Sequence, residues 1–171
     1  MAFDEATINF TVFEDDVELL GVATATMPTL SAVMQTVSGA GISGNVEVGI
    51  AGYFDTMELG LSFRNFTGCN VSLSEPRLHN LQLRAAVQVE DPLDGVVRIQ
   101  ETKHVFVVFP KTDAGGSMAP ASPSNGSGTY AVRYWATYID GERVREIDPF
   151  NSICFINGVD YLADVRAALG K

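Results

Sequence analysis

The sequence is poor in the residues that most metal, redox and nucleic-acid sites require. It has 2 Cys and 2 His among 171 residues, and Cys69 and Cys154 lie far apart with no C-x-x-C spacing. This spacing predicts neither a zinc site nor a disulfide framework, so we expect two buried free thiols. Lys and Arg number 11 against 21 Asp and Glu. The resulting net charge of -10 argues against gripping nucleic acid through its phosphates.

Long apolar runs are absent as well. No stretch reaches the roughly 18 residues of a membrane span, and the opening MAFDEATINF lacks a basic segment followed by an apolar one. We therefore expect a soluble chain, made in the cytosol, with no membrane association. Apolar residues still make up 46% of the chain. A chain of this length and composition predicts a single domain over residues 1–171, with apolar surface left for a partner.

Alternating apolar and polar residues dominate the sequence and predict strands. In residues 56–64, Met57, Leu59, Leu61 and Phe63 share one face. Residues 7–13 alternate in the same way, with Ile8, Phe10 and Val12 on one side.

Two hairpins are also predicted. Residues 79–90 lead through the turn DPLDG into residues 96–109, and residues 130–139 pair with residues 142–147 across Asp140-Gly141. The predicted fold is mainly β: an antiparallel β-sandwich or partial β-barrel with a short flanking α-helix.

Three segments break the strand pattern. Residues 29–52 contain five glycines and predict a long loop or ribbon. Residues 111–128, KTDAGGSMAPASPSNGSG, predict a flexible loop, because they offer little apolar area to offset the entropy of ordering. Residues 160–169 predict a C-terminal helix, with Asp160 as its N-cap and Gly170 as its stop.

The stretch SGAGISG raises the question of a nucleotide site, since residues 39–44 fit G-x-G-x-x-G. That motif works only between a strand and the N-terminus of a helix. No apolar strand is evident up to Gly39, and the following NVEVGIAGY has the alternation of a strand, with Val46 and Val48 on one side. We therefore predict no nucleotide site.

The remaining candidates for chemistry have simpler structural interpretations. Asp148, Asp160 and Asp164 suit turns and helix caps better than a carboxylate cluster. His79 and His104 lie in opposite arms of the long hairpin, where they face each other or are partly exposed strand residues. No nucleophile and base can be paired, so no catalytic residue, metal ligand or cofactor is expected.

One aromatic stretch has two interpretations that the sequence leaves open. Its side chains alternate charge with rings, as a base-stacking strand does, but the acidic composition favours an aromatic core or a subunit interface. The residues are Arg133, Tyr134, Trp135 and Tyr138.

The C-terminal third resembles a known family. The stretch RYWATYIDGERVREIDPFNSICFINGVDYLADVRAALG is similar to the C-terminal signature of the major tail tube protein of contractile-tailed bacteriophages. Upstream, LGVATATMPTL and MELGLSF occur in the order that the family shows. The residues that carry the signature are Asp140, Gly141, Asp148, Asn157, Gly158, Asp160, Arg166 and Gly170.

The resemblance implies a structural subunit without catalysis or cofactor. Six copies are expected to close into a ring, and the rings to stack into a tube that conducts DNA without binding it specifically. Expected partners are the chain itself, the tail sheath protein and the tail initiator and terminator proteins. The expected location is the virion tail, assembled in the host cytoplasm.

Within this interpretation, two sets of residues are predicted to have roles in the tube. The polar strand positions Glu58, Gln82, Gln88 and Glu90 are expected to face the lumen. The segment 29–52 is expected to contact neighbouring subunits or rings, through Gly39, Gly41, Ile42, Gly44 and Val46.

Two alternatives remain. The first is the tube of a contractile bacteriocin or of a secretion-type injection apparatus, which uses the same architecture. The second is a monomeric β-sandwich binding module.

Overall fold

The computed structural model describes residues 3–171 and is mainly β, as predicted. The strands follow in chain order: β1 Phe3–Glu14, β2 Val17–Glu18, β3 Val22–Thr26, β4 Ala32–Val37, β5 Val46–Phe54, β6 Met57–Phe63, β7 His79–Asp91, β8 Val96–Ala114, β9 Ser127–Ile139, β10 Glu142–Asp148, β11 Ile153–Ile156 and β12 Val159–Asp160. Two short helices, α1 Gly68–Leu73 and α2 Ala163–Ala168, interrupt them.

The large sheet is antiparallel and branches at β9. Its main path runs β12-β11-β10-β9-β8-β7-β1-β2. The second half of β9 pairs with β10, whereas residues 127–132 pair with β6, which in turn pairs with β3. A register shift around Arg133 separates the two halves. The sheet therefore curves around one core without closing into a barrel.

The core is built from the side chains on one side of this sheet. Leu59 of β6, Leu81 of β7 and Phe106 of β8 are almost completely buried, and Leu73 of α1 packs into the same cluster. The alternation predicted for residues 56–64 is confirmed. On β1, Val12 is buried but Ile8 is 56% exposed, because a register shift between Thr7 and Asn9 turns Ile8 out of the core.

The loops differ from the sequence predictions in their bounds. Strand β8 runs to Ala114 and β9 starts at Ser127, so the predicted loop 111–128 shortens to residues 115–126. Its second half is fastened to the chain after β6: the buried Ser124 hydroxyl accepts a hydrogen bond from the Phe66 amide at 2.9 Å. The Ser124 amide donates to the Asn65 side chain. These hydrogen bonds compensate for the entropy lost on ordering the loop, for which its composition provides too little apolar area.

The C-terminal helix is also shorter than predicted. It spans Ala163–Ala168, its N-cap position is Leu162, and no side chain caps it. The prediction that Asp160 is the N-cap was wrong. Instead, Asp160 lies in β12, where its carboxylate accepts a hydrogen bond from the Leu162 amide at 3.1 Å and pairs with Arg166.

A stack of rings inside the sheet makes stability depend on pH. His104 lies against Phe106 and Trp135, and its Nδ1 atom contacts the Thr137 hydroxyl and the Trp135 indole N–H. Burial, with a contribution from Arg145, lowers the pKa of His104 to about 4.

Because this pKa lies below that of an unfolded histidine, about 6.5, the unfolded chain takes up the proton first as the pH falls. The stabilisation from neutral His104 is complete above about pH 6.5 and lost near pH 4. Allowing for partial exposure, we expect the wild type to lose about 1–2 kcal/mol more of its free energy of unfolding than H104Q does when the pH falls. Urea unfolding of both proteins at pH 4.5 and 7.5 measures it, and an equal pH dependence would contradict the assignment.

Candidate assembly surfaces

The four polar residues predicted to face a lumen lie on the side of the large sheet that points away from the core. Glu58 is opposite Ala131, which is opposite Phe109 on β8. The pairing of β7 with β8 runs without a register shift, so Gln82, Gln88 and Glu90 share that side with Phe109. We call this side the outer side of the sheet.

These four residues do not form one cluster. Glu58 pairs with Lys111, whereas Gln82 accepts a hydrogen bond from Arg84 at 3.0 Å. At about 3.4 Å per residue, Gln88 and Glu90 lie about 20 and 27 Å from Gln82 along β7. The sequence therefore identified a side of the sheet rather than a compact site.

The outer side also carries cations stacked on aromatic rings, which the sequence did not reveal. The distances from the cation to the ring centroid are 4.9 Å for Arg84 over Phe13, 5.0 Å for Lys103 over Tyr138, 5.5 Å for Arg133 over Phe109 and 4.2 Å for Arg143 over Phe155. Arg143 also pairs with Glu146, which binds the Tyr134 hydroxyl. The predicted aromatic stretch thus divides between the two sides: Trp135 is buried in the core, whereas Tyr134 and Tyr138 are outside.

The segment 29–52 is a hairpin rather than a loop. Strands β4 and β5 form a two-stranded sheet of their own, which we call the ribbon. Glycine did not prevent strand formation: five residues of β4 pair with β5, and one of these pairs, Val37 with Val46, joins two β-branched residues. Contrary to the expectation from sequence, a strand does precede SGAGISG, since β4 ends at Val37.

The glycines of SGAGISG form the turn of the ribbon. Gly41 and Gly44 have positive φ angles of 88° and 138°, which glycine adopts without strain. The chain continues into β5 at Val46, so no helix N-terminus is available for a phosphate. A strand thus follows the glycines where a G-x-G-x-x-G phosphate site requires a helix.

One side of the ribbon is apolar and exposed. Val46 is opposite Val37, and alternation along β5 places Val48 and Ile50 on the same side. These four side chains are each 42 to 52% exposed. An isolated two-stranded ribbon is only marginally stable in water, and an apolar side of this size is typical of a protein contact.

The base of the ribbon packs against the C-terminal segment. Gly52 has a φ of 67°, and a Cβ atom at this position would lie 2.6 Å from the Leu162 side chain. Phe54 and Leu162 both pack on the core. Glycine at position 52 therefore allows both the positive φ and the close approach of the backbone to Leu162.

Replacing Gly52 by alanine is expected to lower the free energy of unfolding by about 2–4 kcal/mol, from the positive φ and the overlap with Leu162. Urea unfolding measures the change. Gly39→Ala is the matched control, since Gly39 has open space around it and should change stability by less than about 0.5 kcal/mol. Equal effects at the two positions would show that Leu162 does not constrain the ribbon.

The signature residues fix turns and the end of the chain. Asp140 and Gly141 have φ angles of 48° and 80°, and Asn157 and Gly158 of 48° and 85°, as type I′ turns require. Asp148 accepts hydrogen bonds from the Asn151 backbone and side chain at 3.2 and 2.6 Å.

The end of the signature ties α2 to the strands before it. Arg166 donates to the Ser152 carbonyl at 2.8 Å and pairs with Asp160, which keeps the pKa of that carboxyl below its usual range. Gly170 follows α2 with a φ of 75°.

The two histidines do not face each other, contrary to one expectation. His79 is opposite Val108, and His104 is opposite Leu83. His79 is also fully buried rather than partly exposed, and it contacts Glu14 and the Glu75 carbonyl. Nothing in the local sequence identified this pair, because its members lie 65 residues apart.

Within residues 3–171, no group of three or more His, Cys, Asp or Glu side chains is arranged to hold a metal ion. Both cysteines are free: Cys154 is buried and Cys69 is partly so. No helix in the described part of the chain has the length and apolarity to cross a membrane.

The described surfaces are those of a β protein with an exposed apolar ribbon and no ligand cluster. The chain belongs to the family of the phage tail tube protein FII, whose family model matches residues 4–170. No curated protein matches the chain.

Two solved structures of similar fold come from an extracellular contractile injection system, PVC, in its extended state. One is the chain described as its sheath/tube terminator, with a TM-score of 0.55, 9% identity, and coverage of 80% of this chain and 97% of that one. The other belongs to its sheath-tube complex, with a TM-score of 0.51, 11% identity, and coverage of 75% and 87%. At these identities the likeness shows the fold alone.

Proposed function

We propose that this protein is the building unit of a phage tail tube, in which six copies close into a ring and the rings stack around a channel for DNA. The observation that carries the proposal is membership of the tail tube family over residues 4–170. No catalytic step is assigned to any residue. The tube would be assembled in the host cytoplasm and become part of the virion tail.

Open strand edges support assembly into rings. Among the described residues, positions 96–101 of β8 pair only with β7, since the pairing of β8 with β9 starts at Thr102. Val96, Val97 and Ile99 in this segment are 47 to 60% exposed. An exposed apolar edge of this kind pairs readily with another chain, so we assign it to the contact between neighbours in a ring.

The ribbon would make the second type of contact. Its apolar side, Val37, Val46, Val48 and Ile50, would pack on the next subunit or ring, with SGAGISG at its tip. The outer side of the sheet, with Glu58, Gln82, Gln88 and Glu90, would then line the channel. The tail sheath and the initiator and terminator proteins remain the proposed partners outside the ring stack.

A second candidate is the tube of an injection apparatus that carries no DNA. The two similar structures, which belong to an extracellular contractile injection system, favour keeping this candidate. Electron microscopy of native particles separates the two, because a phage tail is attached to a DNA-filled capsid.

Electron microscopy of the concentrated protein, alone and with its tail initiator, tests the proposal. Stacked rings with a central channel are the expected result. A protein that sediments as a monomer under every condition, including with the initiator, would be a binding module instead. The proposal would then be wrong.

A further inference from the structure

A row of cations crosses the outer side of the large sheet. Arg84 of β7 is directly opposite Lys103 of β8, which is opposite Tyr138 of β9, which is opposite Arg143 of β10. We call Arg84, Lys103 and Arg143 the cation row. It crosses the middle of the sheet, in a chain whose net charge is -10.

Folding contacts explain the cation row only in part. Like charges directly opposite on neighbouring strands destabilise a sheet. The described residues provide a carboxylate partner only for Arg143, in Glu146, while Glu101 lies two positions from Lys103 without forming an ion pair. Arg84 and Lys103 are instead held over Phe13 and Tyr138. Neutral side chains would fill these positions without the repulsion.

We propose that the cation row is a contact surface for a phosphate backbone, which Arg84 and Lys103 bind without reading base sequence. With strands about 4.8 Å apart, the row spans about 15 Å, the length of about four nucleotides along a duplex. A line of cations across four neighbouring strands suits a linear polyanion better than a compact acidic turn. The stacking rings hold the cations in place before the polyanion arrives.

This inference rests on the proposed function, because a tail tube is what brings DNA to the outer side of the sheet. It also changes the expectation drawn from composition. Glu58, Glu90, Glu101 and Glu146 share the outer side with the cation row, so a channel lined by this side would offer a passing phosphate a weak, nonspecific contact at the row rather than uniform repulsion.

Fluorescence anisotropy with a labelled 20-base-pair duplex tests the inference on the full chain, below the concentration at which it polymerises. We compare R84Q/K103Q with R64Q/K171Q between 50 and 200 mM salt. Arg64 follows β6 and Lys171 follows α2, and both are exposed, so the control removes equal charge from other places. The plot of log affinity against log salt should become shallower by about 2 in R84Q/K103Q and change little in the control.

Three results would overturn the inference: no binding of the duplex by the wild type, equal losses in the two variants, or normal duplex binding by R84Q/K103Q together with loss of assembly. The last would assign the row to an acidic segment of a second copy. Electron microscopy of the same variants separates this failure from failure of the proposed function. If tubes form although the cation row binds no duplex, the proposed function stands and only the phosphate contact is wrong.

Discussion

Replacing Val48 by lysine and Ile50 by glutamate is expected to abolish assembly while the chain stays folded. Both side chains lie on the exposed apolar side of the ribbon, and the double variant keeps the net charge at -10. Losing two apolar contacts costs about 1 kcal/mol each, and burying two charges in the same contact costs about 1–3 kcal/mol more. A total near 4 kcal/mol raises the concentration needed for polymer roughly a thousandfold.

The matched control places the same charges on the other side of the ribbon. Thr36 is opposite Glu47, and Ala51 follows Glu47 on that side by alternation, so T36K/A51E also leaves the net charge unchanged. Sedimentation velocity and electron microscopy measure assembly, and circular dichroism monitors the fold. Assembly of both variants at the wild-type concentration would show that the apolar side contacts nothing. Loss of assembly in both would mean that the ribbon is needed but not through this side.

The sequence predicted the sheet better than its periphery, because a strand with one buried side has a period of two that can be seen locally. Strand β6 and the Asp140-Gly141 turn depend only on neighbouring residues, and both are as predicted. Ile8 was misplaced because a register shift cannot be read from alternation. Helix α1 was missed because six residues hold too few turns to show a helical period.

The candidate surfaces were predictable only in part, since they arise from pairing between distant strands. Alternation placed Gln82 on a polar side, but only the register of three strands brings Arg84, Lys103 and Tyr138 into one row. Likewise, glycine content suggested slack in residues 29–52. The structure instead gives Gly52 a particular role against Leu162, 110 positions later, which no local pattern contains.

His79→Ala is expected to be among the most destabilising single substitutions in the protein. His79 is fully buried, its Nε2–H donates to the Glu75 carbonyl at 3.0 Å, and its Nδ1 contacts the Glu14 carboxylate. Because the carbonyl only accepts, a second proton must lie between Nδ1 and the carboxylate for that contact to be a hydrogen bond. Removing the ring leaves the buried carboxylate with Arg77 alone, at 3.0 Å.

Breaking such a pair costs about 3–5 kcal/mol, because one charge stays buried without its partner. Glu14→Gln should cost less, about 1–3 kcal/mol, since an amide still offers hydrogen-bonding atoms to both neighbours. Urea unfolding in the V48K/I50E background provides the values without interference from assembly. The double variant H79L/E14L is expected to lose at least 1 kcal/mol less than H79L and E14L do in sum. Additive losses would mean that His79 and Glu14 stabilise the edge of the sheet independently, and that the proton between them has no structural role.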